Sequence, residues 1–228
     1  MKRFYKAVSV SPDLGILLDG RPVRTPGRLA LVLPNAALAE AVAEEWRAVD
    51  EEIDPRAMPL TGFANAAVER IAPDPKAFAA GLAAYAESEL LCYRADSPPD
   101  LVSRQQTAWD SILDWARARY DVSFTLVAGI MHKPQPPETI ARLADAIAAR
   151  DAFELAALSP IVTIAGSLVI GLALAEDALD PEAAFDAAHL DELWQAEQWG
   201  EDELALDQRA SRRADFLSAC RFLGLSRG

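Results

Sequence analysis

Over residues 3–33 apolar and polar positions alternate in short runs, and from residue 36 onward apolar positions recur every three or four residues. The first pattern is that of half-buried strands and the second that of amphipathic helices. Residues 4–10, 16–18, 23–25 and 29–33 are strand candidates, separated by Ser11-Pro12-Asp13-Leu14-Gly15, Asp19-Gly20-Arg21-Pro22 and Pro26-Gly27. Asp-Gly between two apolar runs signals a tight hairpin, because both central residues of such a turn take positive φ. The expectation is a small antiparallel meander of four strands.

The later pattern predicts helices with recognisable starts. Pro34-Asn35 opens one over 36–49, carrying Leu38, Val42, Trp46 and Val49 at helical spacing. Met58-Pro59-Leu60-Thr61 leads into a second that ends near Ile71, and Pro73 and Pro75 separate it from a third over 77–91. Further helices are expected over 100–120, from Gln135-Pro136-Pro137-Glu138 to about 150, over 181–200 behind the cap Asp180-Pro181-Glu182, and over 203–222. The fold class is therefore α+β. A small antiparallel β-rich N-terminal domain with one helix (1–57) is followed by a larger all-helical C-terminal domain (58–228).

Residues 155–175, LAALSPIVTIAGSLVIGLALA, carry no charge over 21 positions, long enough to cross a bilayer. The flanks, Glu154 before and Glu176-Asp177 behind, are acidic and offer no basic anchor. Ser159 before Pro160 reads as an N-cap followed by proline at the first helical position. The expectation is a helix over 160–175, apolar all round and buried at the centre of a helical domain rather than in a membrane.

Charge changes the picture more than composition does. The 228 residues carry 22 Lys and Arg against 35 Asp and Glu, a net charge of −13. Residues 151–208 contain 14 Asp and Glu and no Lys or Arg, so essentially the whole excess lies there. Such a segment repels itself unless a neighbouring element or a partner answers it, and it can serve as a docking surface for a basic partner. A surface this acidic excludes a general nucleic-acid binder. Cys92 and Cys220 are too few for a disulfide framework and fit buried thiols in a reducing compartment. Residues 1–7 lack the apolar stretch of an export signal, so the chain is expected to fold in a cytoplasm.

Motifs that carry chemistry are missing. No G-x-G-x-x-G, P-loop, G-x-S-x-G, H-E-x-x-H or C-x-x-C occurs, and the two histidines, His132 and His189, lie far apart. A His-rich metal site is excluded, a Cys–His pairing from Cys92 or Cys220 stays open without local support, and on these grounds enzymatic activity is not expected. Trp46 and Trp109 fall on the apolar stripes of their own helices and are assigned to packing. Arg21 and Arg24 beside the Asp19-Gly20 turn are open to an anion or to the acidic helical part.

The segment 181–200 stands out. On a helical wheel Leu190, Leu193, Trp194 and Glu197 share one side, while Phe185, His189, Glu192, Ala196 and Trp199 share the other. Large aromatics on both sides of one helix cannot all be buried against the same core, so one side is a candidate contact face. Glu192 within that stripe is either paired with an arginine of the fold or offered to a partner.

Seven short motifs resemble the ATP synthase F(1) assembly chaperones, in this order: Arg3-Phe4-Tyr5-Lys6; Leu18-Asp19-Gly20-Arg21-Pro22-Val23-Arg24-Thr25-Pro26; Glu45-Trp46; Met58-Pro59-Leu60-Thr61; Leu91-Cys92-Tyr93-Arg94-Ala95; Trp109-Asp110; and Glu192-x-x-Gln195-x-x-x-Trp199-Gly200. The resemblance implies a β-rich N-terminal part, a helical C-terminal part, no cofactor and no catalysis. It further implies binding of the unassembled F(1) α subunit, kept from aggregating until it pairs with β. The family's functionally important acidic residue falls on Glu192, with Asp191 the adjacent alternative. Partner-binding residues are accordingly expected at Glu192, Asp191, Gln195, Trp199, His189 and Phe185. The chain resembles a bacterial, cytoplasmic form of a protein found in the mitochondrial matrix of eukaryotes, a monomer when free, without nucleic-acid or membrane partners. A small-molecule enzyme with an unrecognised site, and an acidic adaptor with another client, are the competing readings.

Overall fold

The computed structural model describes residues 1–129, 133–200 and 202–228, leaving His132 and Glu201 outside the described residues. It contains a small antiparallel sheet near the N-terminus and is helical through most of the remainder.

The sheet joins β1 (Val8–Val10), β2 (Ile16–Leu18) and β3 (Arg21–Pro22), with Val8 opposite Leu18 and Leu17 opposite Pro22. The turn between β2 and β3 has Asp19 at φ 49° and Gly20 at φ 78°, the paired positive φ that Asp-Gly tolerates. The Asp19 carboxylate accepts from the Ala7 N–H at 2.8 Å and the Lys6 N–H at 3.1 Å, and these bonds hold it below the usual carboxylate range. The fourth strand expected over 29–33 is not formed. That segment meets the sheet through isolated bridges alone, Gly15 with Val32 and Arg24 with Ala30, because Thr25 and Arg28 close a local turn between them.

Helix α1 (Ala36–Ala48) starts where Asn35 accepts from the Leu38 N–H at 2.9 Å. Helix α2 (Pro59–Ala66) has no cap from its own first residue. Glu45 of α1 supplies it, accepting from the Leu60 and Thr61 N–H groups at 2.7 and 2.8 Å. Tyr5, Leu18, Val49 and Met58 form a core cluster beside Trp46, and the Tyr5 hydroxyl donates to the Trp46 carbonyl at 2.6 Å.

The chain divides into two compact units, neither of them continuous in sequence. The first comprises residues 1–75, 151–158 and 218–228, and the second residues 76–150 and 159–217. The cap that Glu45 places on α2 ties α1 to α2 within the first unit.

The second unit holds α3 (Pro75–Ala83), α4 (Pro99–Tyr120) and α5 (Pro137–Ala148), with β4 (Tyr93–Arg94) paired in parallel with β5 (Val127–Ala128). Helix α6 (Ala152–Ala165) contains Pro160 in its interior. The expected start at Ser159 is therefore corrected: Asp151 caps α6 eight residues earlier, accepting from the Phe153 and Glu154 N–H groups at 2.8 and 2.9 Å. Glu154 returns a bond to the Asp151 N–H, completing a capping box. The apolar run breaks at Gly166 (φ 63°), and Ser167 caps α7 (Leu168–Ala175), every residue of which is buried. No described helix is long and apolar enough to cross a membrane.

Helices α8 (Pro181–Ala188), α9 (Leu190–Trp199) and α10 (Glu203–Ser226) follow. The single helix expected over 181–200 is thus interrupted at His189, whose backbone leaves helical geometry at φ −108°, ψ 17°.

Candidate functional site

The interruption at His189 redistributes the predicted contact face. Phe185 and His189 are 1% and 6% exposed, their rings stacked with centroids 4.0 Å apart, and Phe216 of α10 packs edge-on to Phe185 at 5.6 Å. The His189 ring nitrogen Nδ1 lies 2.9 Å from the Phe185 carbonyl. Burial and the cations of Arg212 and Arg209 hold the imidazole below its ordinary pKa, against the opposing pull of the Phe185 carbonyl and Glu192. These two residues belong to the core in this structure, and the expectation that they lie on an exposed face is corrected.

The acidic pair is engaged on both sides. Asp191 Oδ1 accepts from Gln105 Nε2 of α4 at 2.7 Å, and Gln105 Oε1 accepts from the Ala95 N–H at 2.8 Å. Glu192 Oε1 accepts from Arg209 Nε at 3.1 Å, and both its oxygens accept from Arg212 Nη2, at 2.8 and 2.9 Å. Asp191 thus ties α9 to α4, while Glu192 ties it to α10. Neither arginine could be found by a wheel, because both lie in a different helix.

What remains outside is the end of α9 and the beginning of α10. Trp199 is 75% exposed, Leu204 67% and Leu206 47%, and Gln195 is exposed on the same helix as Trp199. Trp194 is buried and meets Trp199 edge-on at 5.8 Å. Leu204 and Leu206 were missed by the sequence reading, although Glu203-Leu204-Ala205-Leu206-Asp207, a short apolar run flanked by acids at a helix start, carries the signal.

The charge-free-of-bases segment is answered in part. Arg119 and Arg150 bond Glu176, Arg104 bonds Glu197 at 2.6 Å, and Arg213 bonds Glu182. Burial works against ionisation of Glu176, but hydrogen bonds from Arg119, Tyr120 and Arg150 outweigh it and leave the carboxyl below its usual range. Asp186, Glu203 and Asp207 have no cationic partner among the described residues.

Two other arrangements collect motif residues. The Arg94 guanidinium donates to the Leu91 carbonyl and to Asp110, each at 2.8 Å, and lies over the Trp109 ring at 5.2 Å. Trp109 is buried and its Nε1–H donates to the Ala187 carbonyl at 2.8 Å. Leu91-Cys92-Tyr93-Arg94-Ala95 and Trp109-Asp110 are therefore joined as framework that holds α4 to α8. Glu89 is fully buried and accepts from the Val169 N–H at 3.1 Å at the start of α7. Burial pushes its carboxyl up to about 7, although hydrogen bonds from Ser167 and backbone N–H groups pull the other way. Burial and the Glu89 charge push the Cys92 thiol up to about 12, an unreactive value. Cys220 is also buried and free of disulfide. Arg21 and Arg24 are both exposed, and Arg24 donates to the Arg28 carbonyl at 3.0 Å. Among the described residues no group of His, Cys, Asp and Glu could hold a metal ion.

The model of the family described as "ATP12 chaperone protein" matches residues 2–117, just over half of the chain. The chain belongs to the ATP12 chaperone family. A solved structure of Atp12 from Paracoccus denitrificans is 43% identical, with a TM-score of 0.93, covering 99% of this chain and 98% of that one. The Atu1473 protein from Agrobacterium tumefaciens is 44% identical, with a TM-score of 0.91, covering 98% of this chain and 85% of that one. Protein atp12, mitochondrial, from Schizosaccharomyces pombe is 22% identical over 214 residues, 87% of this chain and 74% of the relative. The matched region 2–117 includes the first six motifs of the ATP12 resemblance and leaves α9 outside it.

Proposed function

We propose that this chain is an assembly chaperone for the F(1) sector of ATP synthase, and that its client is the unassembled F(1) α subunit. Membership in the ATP12 chaperone family supports the assembly role. The client specificity, action by binding without catalysis, work as a free monomer and a bacterial cytoplasmic setting are our reading. One observation carries the client face: Trp199, Leu204 and Leu206 stay exposed beside Glu203 and Asp207, carboxylates without a cationic partner among the described residues. A subunit made for a ring exposes apolar interface while alone, and a cover with apolar centre and acidic rim suits such a surface with basic flanks. Because only the unassembled client binds, pairing with β releases it by mass action.

In this reading Trp199 and Gln195 touch the client. Glu192, held by Arg209 and Arg212, fixes the direction of α9 relative to α10, and Asp191 fixes α9 on α4. Phe185 and His189 support the base of α9 from within. The test is co-expression of the chain with its cognate F(1) α subunit in the absence of β. Soluble α that co-purifies, and is released on adding β, is the expected result. Aggregation of α to the same extent with and without the chain would overturn the reading.

A further inference from the structure

A groove of about 630 Å³ runs between α4 and the pair α8–α9, on a different face of α9 from the Arg-bound Glu192. Its lining is largely apolar. Ala108, Ala183 and Ala187 contribute only methyl groups, so the backbone of an incoming segment can come close. Leu179, Leu190 and Leu193 are half-buried, leaving part of each side chain in water. From Ser103 to Ile112 the groove follows ten residues of α4, nine rises of 1.5 Å or about 14 Å, the length of two to three helical turns.

Its charges are unequal. Arg104 and Glu197 both line the groove and neutralise each other at 2.6 Å. Asp186 also lines it and is exposed, with no hydrogen-bond or ion-pair partner for its carboxylate among the described residues. The groove therefore offers one uncompensated negative charge beside a long apolar floor. A segment that satisfies both is an amphipathic helix with apolar residues at i, i+3 or i+4, and i+7, and a Lys or Arg at one edge.

We propose that this groove is a second client site, receiving a short amphipathic helix of the F(1) α subunit whose basic residue pairs with Asp186. The inference rests on the chaperone reading and extends it. Leu193 and Glu197 of the groove lie on the helix that ends at exposed Trp199, so one client can engage both surfaces at once.

The experiment uses the full chain co-expressed with the cognate F(1) α subunit, without β. Two variants address the groove: Ala183→Trp fills it from an exposed position, and Asp186→Lys reverses its charge. A photo-cross-linking residue at position 183 reports contact directly. Expected are an α-subunit cross-link mapping to one helical segment with a basic residue, and about a tenfold drop in retained α for each variant, with far-UV circular dichroism and melting temperature at wild-type values. Wild-type retention in both variants, with no cross-link, overturns the groove proposal while leaving the Trp199 face and the chaperone reading in place. Failure of the unmodified chain to retain α overturns both. A cross-link confined to a second copy of this chain overturns the groove proposal in favour of self-association.

Discussion

Helix α7 and the junction of α9 with α10 lie in or beside the same basic-free segment, and both are rich in large apolar side chains, yet they end in opposite environments. Every residue of α7 is buried, and its N–H groups are met by Ser167 and by Glu89. At the junction Trp199, Leu204 and Leu206 face water. The difference teaches that this fold does not lack the means to bury apolar surface. Close by in sequence, Glu192 of α9 is bonded to Arg209 and Arg212 of α10, so polar pairs rather than the exposed apolar side chains tie these two helices together there.

The comparison can be broken most forcefully from the buried side. Leu172→Ala removes a fully buried side chain from α7 and should cost about 3 kcal/mol, read as a lower urea midpoint at unchanged slope. A loss below about 1 kcal/mol would mean that α7 is loosely packed and the contrast is weaker than drawn.

Next comes the carboxylate beneath α7. With Glu89 raised from 4.5 to about 7 by burial, its neutral form is the one the fold favours. The stabilisation is fully present below pH 4.5 and is lost as pH rises through 7, on the order of 3 kcal/mol in all. Glu89→Gln cannot ionise, so its unfolding free energy relative to wild type should rise steadily between pH 5 and 8. A constant difference across that range would show that Glu89 titrates like an exposed carboxyl.

Glu192→Ala should be milder. Its ion pairs with Arg209 and Arg212 are part-exposed, so about 1 kcal/mol is expected, shrinking further in 1 M salt. Retention of the F(1) α subunit should fall more than stability does, because α9 loses its fixed direction. Equal proportional losses would reduce Glu192 to a structural tie.

Trp199→Ser sharpens the contrast with the smallest change in the fold. Being three-quarters exposed, the side chain contributes within about 0.5 kcal/mol to stability, whereas α-subunit retention should drop about tenfold. If retention is unchanged, the exposed cluster is not the client face.

Local chemistry was readable where one residue decides it. Asp19-Gly20 made its turn, Asn35 capped α1, and prolines opened α2, α4, α5 and α8. Two breaks also had local marks that were passed over. Asp151 with Glu154 three residues later is a capping box, and Gly166 before Ser167 is a stop followed by a cap. The contact face was less legible for a different reason. A wheel assumes one axis, and the interruption at His189 gives Phe185 and Trp199 different axes. Nor does periodicity name partners: that Glu192 meets Arg209 and Arg212, or that Asp191 meets Gln105, depends on which helices pack together. The motif residue Arg94 bonds Asp110 and lies over the Trp109 ring, a meeting of two separate stretches that periodicity does not show.

The discontinuity of the first unit bears on how the protein is made. Asn35 donates its side-chain amide to the carbonyls of Leu225 and Ser226 at 2.9 and 3.1 Å. Phe222 packs against Phe63 and Phe153, with ring centroids 5.4 and 6.4 Å away. A ribosome delivers the first 75 residues long before these partners exist, so the sheet and α1 emerge with an open seam. That seam closes only after residues 76–217 have been made and 218–228 have followed, so the first unit is completed after the residues of the second have emerged, not before them.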